Sequence, residues 1–323
     1  MIYVILLNWN GWKDTLHCLE SLFHSDYQDF RIVVCDNDST DGSMEKFKAW
    51  AEGLLPVEER LNETLDPLVF PPVSKPVSYI EYNREEAESG GNPGDTNCSL
   101  ILIQTGSNGG FAAGNNVGIR YVLKKEAEYI WLLNNDTVVK TNTLKELIYR
   151  TESDANFGIS GAVIYFASNP KRTQTYGGGR LSRFTGRDRF IYSPGRVDYV
   201  TGTSLFVRRE VFEQVGLLDE AFFFYWEDVD FSRRVKDAGW LLAVAANAVV
   251  YHKFSSTVGG QSLRSDLYKV SSLIRYFKKH YKYWYIFPVA FNISGMLLNR
   301  LIRKQFDRIG PILKETHKSM KKK

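Results

Sequence analysis

The chain has 323 residues, 44% hydrophobic and 24% charged, a composition that excludes wholesale disorder. Its length indicates one large domain or two ordinary ones. The net charge of +4 hides a division, because residues 264–323 contain 15 Lys and Arg against 3 Asp and Glu (+12), whereas residues 1–263 carry −8. A uniformly basic nucleic-acid-binding protein would not divide in this way, so we do not expect nucleic acid as a partner.

The first apolar segment and the cysteines indicate the cellular compartment. Residues 2–7 (IYVILL) are too few for a signal peptide and have no basic leader. Cys18, Cys35 and Cys98 form no CxxC pair, and we interpret them as buried thiols in a reducing compartment. We therefore predict a cytoplasmic protein whose first strand lies at residues 2–7.

Strand and helix patterns alternate from the beginning of the chain. The run IYVILL is typical of a strand covered on both faces, and WKDTLHCLESLFHS carries the apolar stripe of a helix. FRIVVCDN is a second strand, and STDGSMEKFKAW is a second helix with Ser39 or Thr40 as its expected N-cap. This order predicts a parallel α/β sheet with right-handed crossovers.

Residues 53–99 interrupt the alternation. They contain six prolines and the segment ESGGNPGD, so we predict a variable insertion that is partly loop. The alternation resumes with the strand LILIQT, a Gly/Asn-rich turn and helix in GSNGGFAAGNNVGIRYVLKK, and the strand YIWLLNNDTVV. The helix TLKELIYRT, the strand GISGAVIYF and a strand-and-loop region after Pro170 follow.

Polar clusters follow four of these strands: NWN, DNDSTDGS, GSNGGFAAGNN and NNDT. Ligands of open α/β sheets bind beyond the carboxyl ends of the strands. One such cluster is usually a turn or a helix cap, but four at one edge predict a polar pocket containing Asp36, Asp38, Asp41 and Asp136. Asp136 either caps the next segment or binds a hard cation such as Mg²⁺, which takes one or two carboxylates and completes its shell with water and phosphate.

The segment 222–234 (FFFYWEDVDFSRR) places three acids directly after an aromatic run. Phe231, Val235 and Ala238 form one stripe of a predicted helix that Gly239 ends. Asp228 lies near the start of this helix, where the dipole favours the ionised carboxylate while the aromatic wall raises its pKa. A carboxylate in that position suits proton removal from a substrate hydroxyl, although one of the three acids is expected to cap the helix.

The motifs NWNG, VVCDNDSTDGS, NGGFAAGNNVG, LLNNDTVV and the segment 202–240, in this order, resemble glycosyltransferase family 2 and its rhamnosyltransferase-like branch. The resemblance covers roughly residues 1–255 apart from the insertion. It implies a GT-A fold over residues 1–260, that is, a Rossmann-like, mostly parallel α/β sheet with flanking helices. It further implies inverting, metal-dependent transfer of a sugar, rhamnose as the best candidate, from a nucleotide-diphospho-sugar. The implied acceptor is a glycan or a polyprenyl-diphosphate-linked glycan in cell-surface polysaccharide assembly.

The resemblance also implies roles for individual residues. Asp228, the second acid of its pair with Glu227, would be the general base, and both are candidate catalytic residues. Asp136 would bind Mg²⁺ or Mn²⁺ with His252, because the first position of its motif is Asn134 instead of Asp; a purely structural His252 is the alternative. The implied donor-binding residues are Asn8, Trp9, Asn10, Asp36, Asn108, Gly110, Phe111, Asn115 and Asn135. The implied acceptor-binding residues are Gly202, Thr203, Tyr225 and Trp226.

Residues 261–323 form a basic and aromatic helical region. Its uncharged run, residues 283–299, has 17 residues. As a helix it would be about 25 Å long, less than the hydrocarbon core of a bilayer. Pro288, Asn292 and Gly295 weaken a spanning helix further, whereas flanking Lys, Arg, Tyr and Trp suit the headgroup zone. We predict peripheral attachment to the inner face of the cell membrane; the alternatives are helices packed on the catalytic domain or in a homodimer interface, and, least favoured, a true span.

Two other functions stay open at this point. A sugar nucleotidyltransferase shares a similar sheet but opens with a Gly-rich, Arg-containing loop, where this chain has NWNGWKD. A non-catalytic GT-A-like protein that binds a glycan or a lipid carrier would keep the fold, but the presence of both Asp136 and Asp228 favours an enzyme. Turnover of a nucleotide-sugar discriminates between these functions.

Overall fold

The computed structural model describes residues 1–321 except 93, 95–96 and 254–261. The strands in this part of the chain are β1 Ile2–Asn8, β2 Phe30–Asp36, β3 Tyr79–Asn83, β4 Leu100–Gln104, β5 Tyr129–Asn134, β6 Thr137–Val139, β7 Phe157–Phe166, β8 Asn169–Tyr176, β9 Gly178–Leu181, β10 Asp188–Phe190, β11 Tyr199–Val200, β12 Ser204–Arg208 and β13 Leu241–His252. The helices are α1 Trp12–Phe23, α2 Ser43–Glu52, α3 Asp66–Val69, α4 Arg84–Ser89, α5 Gly110–Leu123, α6 Thr143–Glu152, α7 Arg209–Val215, α8 Glu227–Asp237, α9 Leu263–Tyr281, α10 Ile286–Ile302 and α11 Ile309–Lys321. The expected domain boundary after residue 260 lies outside the described residues.

A ten-stranded sheet forms the centre of the protein, in the order β3-β4-β2-β1-β5-β12-β7-β13-β6, with β8 paired to β7. β1 runs parallel to β2 and β5, and β4 runs parallel to β2 and β3. β12 lies antiparallel between β5 and β7. The predicted mostly parallel α/β sheet is therefore confirmed, and the carboxyl ends of β1, β2, β4 and β5 lie at one edge.

The apolar strands are buried on both faces of the sheet because their side chains alternate in direction. Val4 and Leu6 of β1 lie in one core cluster with Trp50 of α2, whereas Ile5 lies in a second cluster with Val117 of α5. Each fully buried side chain of this kind contributes about 1.5–3 kcal/mol relative to an exposed one. This two-sided burial holds the carboxyl edge of the sheet in place.

The insertion 53–99 contributes to the sheet. It contains α3, β3 and α4, and β3 extends the sheet beyond β4 as a parallel edge strand. Asn83 starts α4 with a capping box, in which its side chain accepts from the Glu86 N–H at 2.9 Å and the Glu86 side chain accepts from the Asn83 N–H at 2.9 Å. The segment is thus more regular than its prolines indicate.

The prediction that Ser39 or Thr40 caps α2 is wrong. The helix begins at Ser43 after Gly42, which has φ +75 in the left-handed region that favours glycine. Ser39 instead binds the segment at the end of β1, where its hydroxyl accepts from the Asn8 amide at 3.1 Å and from the Asn10 N–H at 2.9 Å.

The C-terminal helices pack on the part of the chain that contains the central sheet. Tyr276 and Phe277 of α9 and Val289 of α10 share a buried cluster with Phe222 and Val229. Within the described residues, the helical stretch Leu263–Ile302 has the length and apolar composition of a membrane-crossing segment. A 3₁₀ turn at Lys282–Tyr285 divides this stretch into α9 and α10.

Candidate active site

A cavity of about 830 Å³ opens at the carboxyl edge of the sheet. This volume suits a substrate-sized ligand. Its walls include members of all four predicted polar clusters, the aromatic segment before α8, the β9–β10 hairpin, and helices α9 and α10. The predicted site residues that line it are Trp9, Asn108, Gly110, Phe111, Asn135, Asp136, Gly202, Thr203, Tyr225, Trp226, Glu227, Asp228 and His252.

Six predicted residues are not among the described residues that line the cavity: Asn8, Asn10, Asp36, Asp38, Asp41 and Asn115. Several of them form hydrogen bonds within the loops that carry the lining residues. The Asn8 amide donates to Asp36 Oδ1 at 2.7 Å, and Asp36 Oδ2 accepts from the Ser39 N–H at 3.0 Å. Asn115 donates to the Phe111 carbonyl at 2.9 Å. These side chains therefore support the lining residues from inside the protein.

Gly110 joins the Gly/Asn-rich turn to the aromatic segment. It has φ +85, and a Cβ at this position would lie 2.1 Å from the Phe223 carbonyl oxygen. The Phe111 N–H donates to that same oxygen at 2.8 Å. Glycine is required because no other residue permits this close approach, so the turn after β4 and the segment before α8 are positioned together.

Tyr225 and Trp226 both have a left-handed backbone, with φ +67 and +72. This conformation is rare for bulky residues, costs about 1–3 kcal/mol each, and is concentrated at functional sites. The Tyr225 hydroxyl lies 3.0 Å from Ser265 Oγ, and the Trp226 ring lies 5.1 Å from the Tyr276 ring of α9. These contacts with α9 hold the strained pair, and the chain then enters α8 with Glu227 at the cavity wall.

Glu227 and Asp228 form a pair of enclosed carboxyl groups. Asp228 Oδ2 accepts from the Gly202 N–H and Oδ1 from the Val229 N–H, both at 2.8 Å. Burial raises the pKa of Asp228, and these two N–H groups oppose the rise. Burial and the neighbouring charge of Asp228 raise the pKa of Glu227 well above its usual range, and Glu227 Oε2 has no hydrogen-bond partner in the described structure.

Asp230, the third acid, has a structural environment. It is fully buried and contacts Arg234 at 2.8 Å, Lys279 at 2.9 Å and His280 at 2.8 Å. Burial alone would raise its pKa, but hydrogen bonds from His280, Lys279 and Arg234 hold the pKa of Asp230 at about 2. Asp230 therefore ties α8 to α9 and is absent from the described cavity lining.

Asp136 and His252 meet because β13 pairs with β6, with His252 opposite Thr137. His252 Nε2 lies 3.1 Å from Asp136 Oδ1, and Nδ1 lies 3.0 Å from Gln174 Oε1. When Nδ1 donates to that oxygen, Nε2 carries no proton, so Nε2 and the carboxylate face each other as two acceptors. A cation bound between them would remove the repulsion between the two lone pairs. One carboxylate and one imidazole fit Mg²⁺ or Mn²⁺ that takes its other ligands from phosphate and water. No group of three or more His, Cys, Asp or Glu with metal-binding geometry occurs in the described part of the chain.

The structure adds residues that the sequence did not predict. Asn37 lines the cavity and donates to Asn108 Oδ1 at 3.0 Å. Asp188 lines it from β10 and accepts from the Tyr199 hydroxyl. Asp188 as a whole is exposed to the open cavity, but enclosure of its carboxyl group raises its pKa, aided by the charge of Asp228 and opposed by the Tyr199 hydrogen bond. Asn37, beside Asp36, had a local signal, whereas nothing near Asp188 indicates its position.

Two family descriptions match this chain. Residues 129–302 match "Glycosyl transferase family group 2", which is more than half of the chain. Residues 3–63 match "Glycosyl transferase family 2". The two matches together include the predicted catalytic pair, the predicted metal pair and the first two polar clusters.

Two curated proteins are similar to parts of the chain. The low-salt glycan biosynthesis hexosyltransferase of Haloferax volcanii is 30% identical over 146 residues, 42% of this chain and 46% of that protein. The N-acetylglucosaminyl-diphospho-decaprenol L-rhamnosyltransferase of Mycobacterium tuberculosis is 34% identical over 115 residues, 35% of this chain and 37% of that protein. The chain thus matches less than half the length of these relatives.

A solved structure shares the fold. The mannosyltransferase of Pyrobaculum calidifontis, in complex with GDP-Man and Mn²⁺, has a TM-score of 0.55 at 14% identity, covering 89% of this chain and 67% of that one. At this identity the likeness concerns the fold alone. It confirms the predicted GT-A architecture.

Proposed function

The chain belongs to glycosyltransferase family 2, and we propose that it transfers a sugar from a nucleotide-diphospho-sugar to an acceptor hydroxyl with inversion of the anomeric centre. The observation that carries this proposal is one cavity that is lined by Asp228, by the Asp136–His252 pair and by loops from four strand ends. The rhamnosyltransferase relative supports rhamnose as the sugar. The name of the same relative, which includes diphospho-decaprenol, supports a polyprenyl-diphosphate-linked acceptor. We further propose that the product is used in the assembly of a cell-surface polysaccharide.

Asp228 is the proposed general base. The acceptor oxygen forms a bond to the anomeric carbon while the bond from that carbon to the diphosphate breaks, and the hydroxyl proton passes to the Asp228 carboxylate. The raised pKa of Asp228 makes it a stronger proton acceptor than an exposed aspartate. Hydrogen bonds from Gly202 and Val229 hold the carboxylate in one orientation. A single displacement needs no covalent nucleophile and inverts the centre.

Asp136 and His252 are the proposed ligands of Mg²⁺ or Mn²⁺. A divalent cation bound there would offset the negative charge that develops on the departing diphosphate. Gln174 orients His252 through its contact with Nδ1. Asn135 holds the turn that carries Asp136, because its amide donates to Thr15 Oγ1 at 2.9 Å.

The remaining lining residues divide between the two substrates. We assign Trp9, Asn108, Gly110, Phe111 and Asn135 to the donor, and Gly202, Thr203, Tyr225 and Trp226 to the acceptor. Glu227 is assigned to the catalytic pair with Asp228. Asn8, Asn10, Asp36 and Asn115 are assigned to the donor site as supports of its loops, since their side chains bind neighbouring loop residues.

We also propose that the protein lies peripherally on the cytoplasmic face of the cell membrane. Tyr283 and Trp284 of the 3₁₀ turn are 89% and 72% exposed, and Phe287 at the start of α10 is 64% exposed. Exposed aromatic side chains next to basic residues suit a membrane interface, where each Lys or Arg contributes about 1 kcal/mol. Asn292 and Met296 of α10 also line the cavity, so a lipid-linked acceptor would reach the base from this surface.

The test uses purified full-length protein with Mn²⁺ or Mg²⁺ and a panel of dTDP-, UDP- and GDP-sugars. Prenyl-diphosphate-linked sugars serve as acceptors. We expect release of a nucleoside diphosphate together with a product of inverted anomeric configuration, measured by NMR. An absence of turnover across the panel with either cation contradicts the proposal.

A further inference from the structure

Three cationic side chains line the cavity: Arg264 and Lys269 of α9, and Arg187 of the β9–β10 hairpin. In the part of the chain that the structure describes, none of the three lies within ion-pair distance of a carboxylate. Residues 254–261, which precede Arg264 in the sequence, contain no Asp or Glu. The cavity therefore contains positive charge that the described protein does not neutralise by ion pairing, and the catalytic mechanism above does not use it.

Lys269 is the most enclosed of the three. It is half-buried on α9, and its ammonium lies 4.9 Å from the centre of the Tyr225 ring. Burial lowers the pKa of Lys269, and the charge of Asp266 opposes this change. Asp266 is itself bound by Arg300 at 2.6 Å and Arg308 at 3.3 Å. A partly desolvated ammonium without an ion-pair partner is costly unless an anion binds beside it.

Lys269 lines the same cavity as Asp228 and as residues of the apolar helix α10. Its contact with Tyr225 places it beside the segment that carries Asp228. Leu273, one turn later on α9, and Met296 of α10 also line this cavity. A ligand at Lys269 would therefore share one cavity with Asp228 and with apolar side chains of α9 and α10.

The hairpin that carries Arg187 is fixed to the same helix. Asn292 of α10 donates its amide to the Thr185 carbonyl at 3.0 Å. A Cβ on Gly186 would lie 2.9 Å from the Asn292 amide nitrogen and 3.1 Å from the Pro288 carbonyl oxygen, so hairpin and helix are in close contact. Arg187 is thereby held at the cavity edge next to α10.

We infer that Lys269, together with Arg187 and Arg264, binds the phosphate or diphosphate that links the acceptor sugar to its lipid carrier. This inference rests on the proposed function. The sugar would extend to Asp228 and the carrier along α10, while charge-assisted hydrogen bonds to the anion would neutralise these cations. The diphosphate of the donor has the same chemistry, but the Asp136–His252 pair with its cation already provides a site for it.

Calorimetry on full-length protein separates the two sources of diphosphate. The ligands are farnesyl diphosphate, farnesol as the uncharged match, and the nucleoside diphosphates dTDP, UDP and GDP. Lys269→Met should weaken farnesyl diphosphate binding about tenfold or more, because a charged hydrogen-bond donor is lost. It should leave farnesol and nucleoside diphosphate binding unchanged, and Lys269→Arg should retain most of the affinity. Lys314→Met removes one positive charge from the exposed surface of α11 and should change none of these affinities.

Several outcomes overturn the inference. The site belongs to the donor if Lys269→Met weakens nucleoside diphosphate binding and spares farnesyl diphosphate. The effect is general electrostatics if Lys314→Met causes the same loss. Unchanged farnesyl diphosphate binding in a folded Lys269→Met protein, checked by its melting temperature, also refutes the assignment.

Kinetics distinguish failure of this inference from failure of the proposed function. Lys269→Met should raise KM for a prenyl-diphosphate-linked sugar and leave KM for the corresponding alkyl glycoside unchanged. If wild-type protein turns over nucleotide-sugars but the variant shows no such difference, the anion site is refuted while the glycosyltransferase proposal stands. If Lys269-dependent farnesyl diphosphate binding occurs without any turnover, the proposed function fails and the anion site stands.

Discussion

Replacement of Asp228 by asparagine tests the proposed base and also perturbs a defined hydrogen-bond arrangement. The carboxylate accepts from two N–H groups, of Gly202 and Val229, each at 2.8 Å. An asparagine has one side-chain oxygen, so one N–H group would face an NH₂ group and lose its acceptor. That loss costs about 1–3 kcal/mol of stability. Loss of the general base itself should reduce kcat by about 10²–10⁴-fold, equivalent to about 2.7–5.4 kcal/mol of barrier.

The assay follows nucleoside diphosphate release for kcat and KM, and calorimetry for nucleotide affinity. Donor affinity should stay within a few-fold, because Trp9, Asn108 and Gly110 on the donor side are unchanged. Asp230→Asn is the matched control, since it makes the same chemical change in the same helix at a carboxylate outside the described cavity lining. It should lower the melting temperature while the folded protein keeps its turnover.

Two results would refute this reasoning. A folded Asp228→Asn protein with near-normal kcat excludes Asp228 as the base, and Glu227 becomes the next candidate because it is buried beside it with a raised pKa. Equal losses of kcat in the Asp228→Asn and Asp230→Asn proteins would mean that the loss reflects disruption of α8 and not the removal of a base.

Three further predictions concern the metal, stability and the membrane. Asp136→Ala should abolish the Mn²⁺ dependence of nucleoside diphosphate binding, and His252→Ala should weaken this dependence less. If calorimetry shows an unchanged Mn²⁺ dependence in both variants, the metal binds elsewhere. Asp230→Asn should lower the free energy of unfolding at neutral pH by about 2–3 kcal/mol, because the pKa of Asp230 is held at about 2 in the folded protein. This stabilisation is complete above the ordinary aspartate pKa of about 4 and is lost as the pH falls through about 2, so the two melting curves should converge there. Phe287→Ser combined with Phe291→Ser should reduce flotation with anionic vesicles at low and high salt, and wild-type protein that stays at the bottom in both contradicts membrane attachment.

The strands and helices around β1, β2, β4 and β5 were predictable because their signals are local. Each strand is an apolar run buried on both faces, and each crossover helix has an apolar stripe. Parallel pairing of these strands then places their polar ends at one edge, which is why the cavity lies where NWN, DNDSTDGS, GSNGG and NNDT predict it. The start of α8, with Asp228 in its first turn, was equally local.

Other features depend on contacts between distant parts of the chain. The edge strand β3 lies in a proline-rich insertion, and only pairing with β4 makes it a strand. The left-handed pair Tyr225 and Trp226 has no glycine to signal it and is held by α9, about 40–50 residues later in the sequence.

For the site as well, some features were predictable from the sequence and others depend on tertiary contacts. The sequence alone determined the sheet, the edge at which the cavity opens and the acids at that edge, because periodicity and residue type act over a few neighbours. Tertiary structure decided which acid faces the cavity: Asp228 lies at its wall, while Asp230, two residues later, is neutralised by Arg234, Lys279 and His280. It also placed the Lys269 ammonium 4.9 Å from the centre of the Tyr225 ring at the cavity wall, although the sequence shows only one more cation in a basic region. The physical reason is that burial and charge pairing depend on the side chains that surround a group in space, and here those side chains come from helices and strands far apart in the chain.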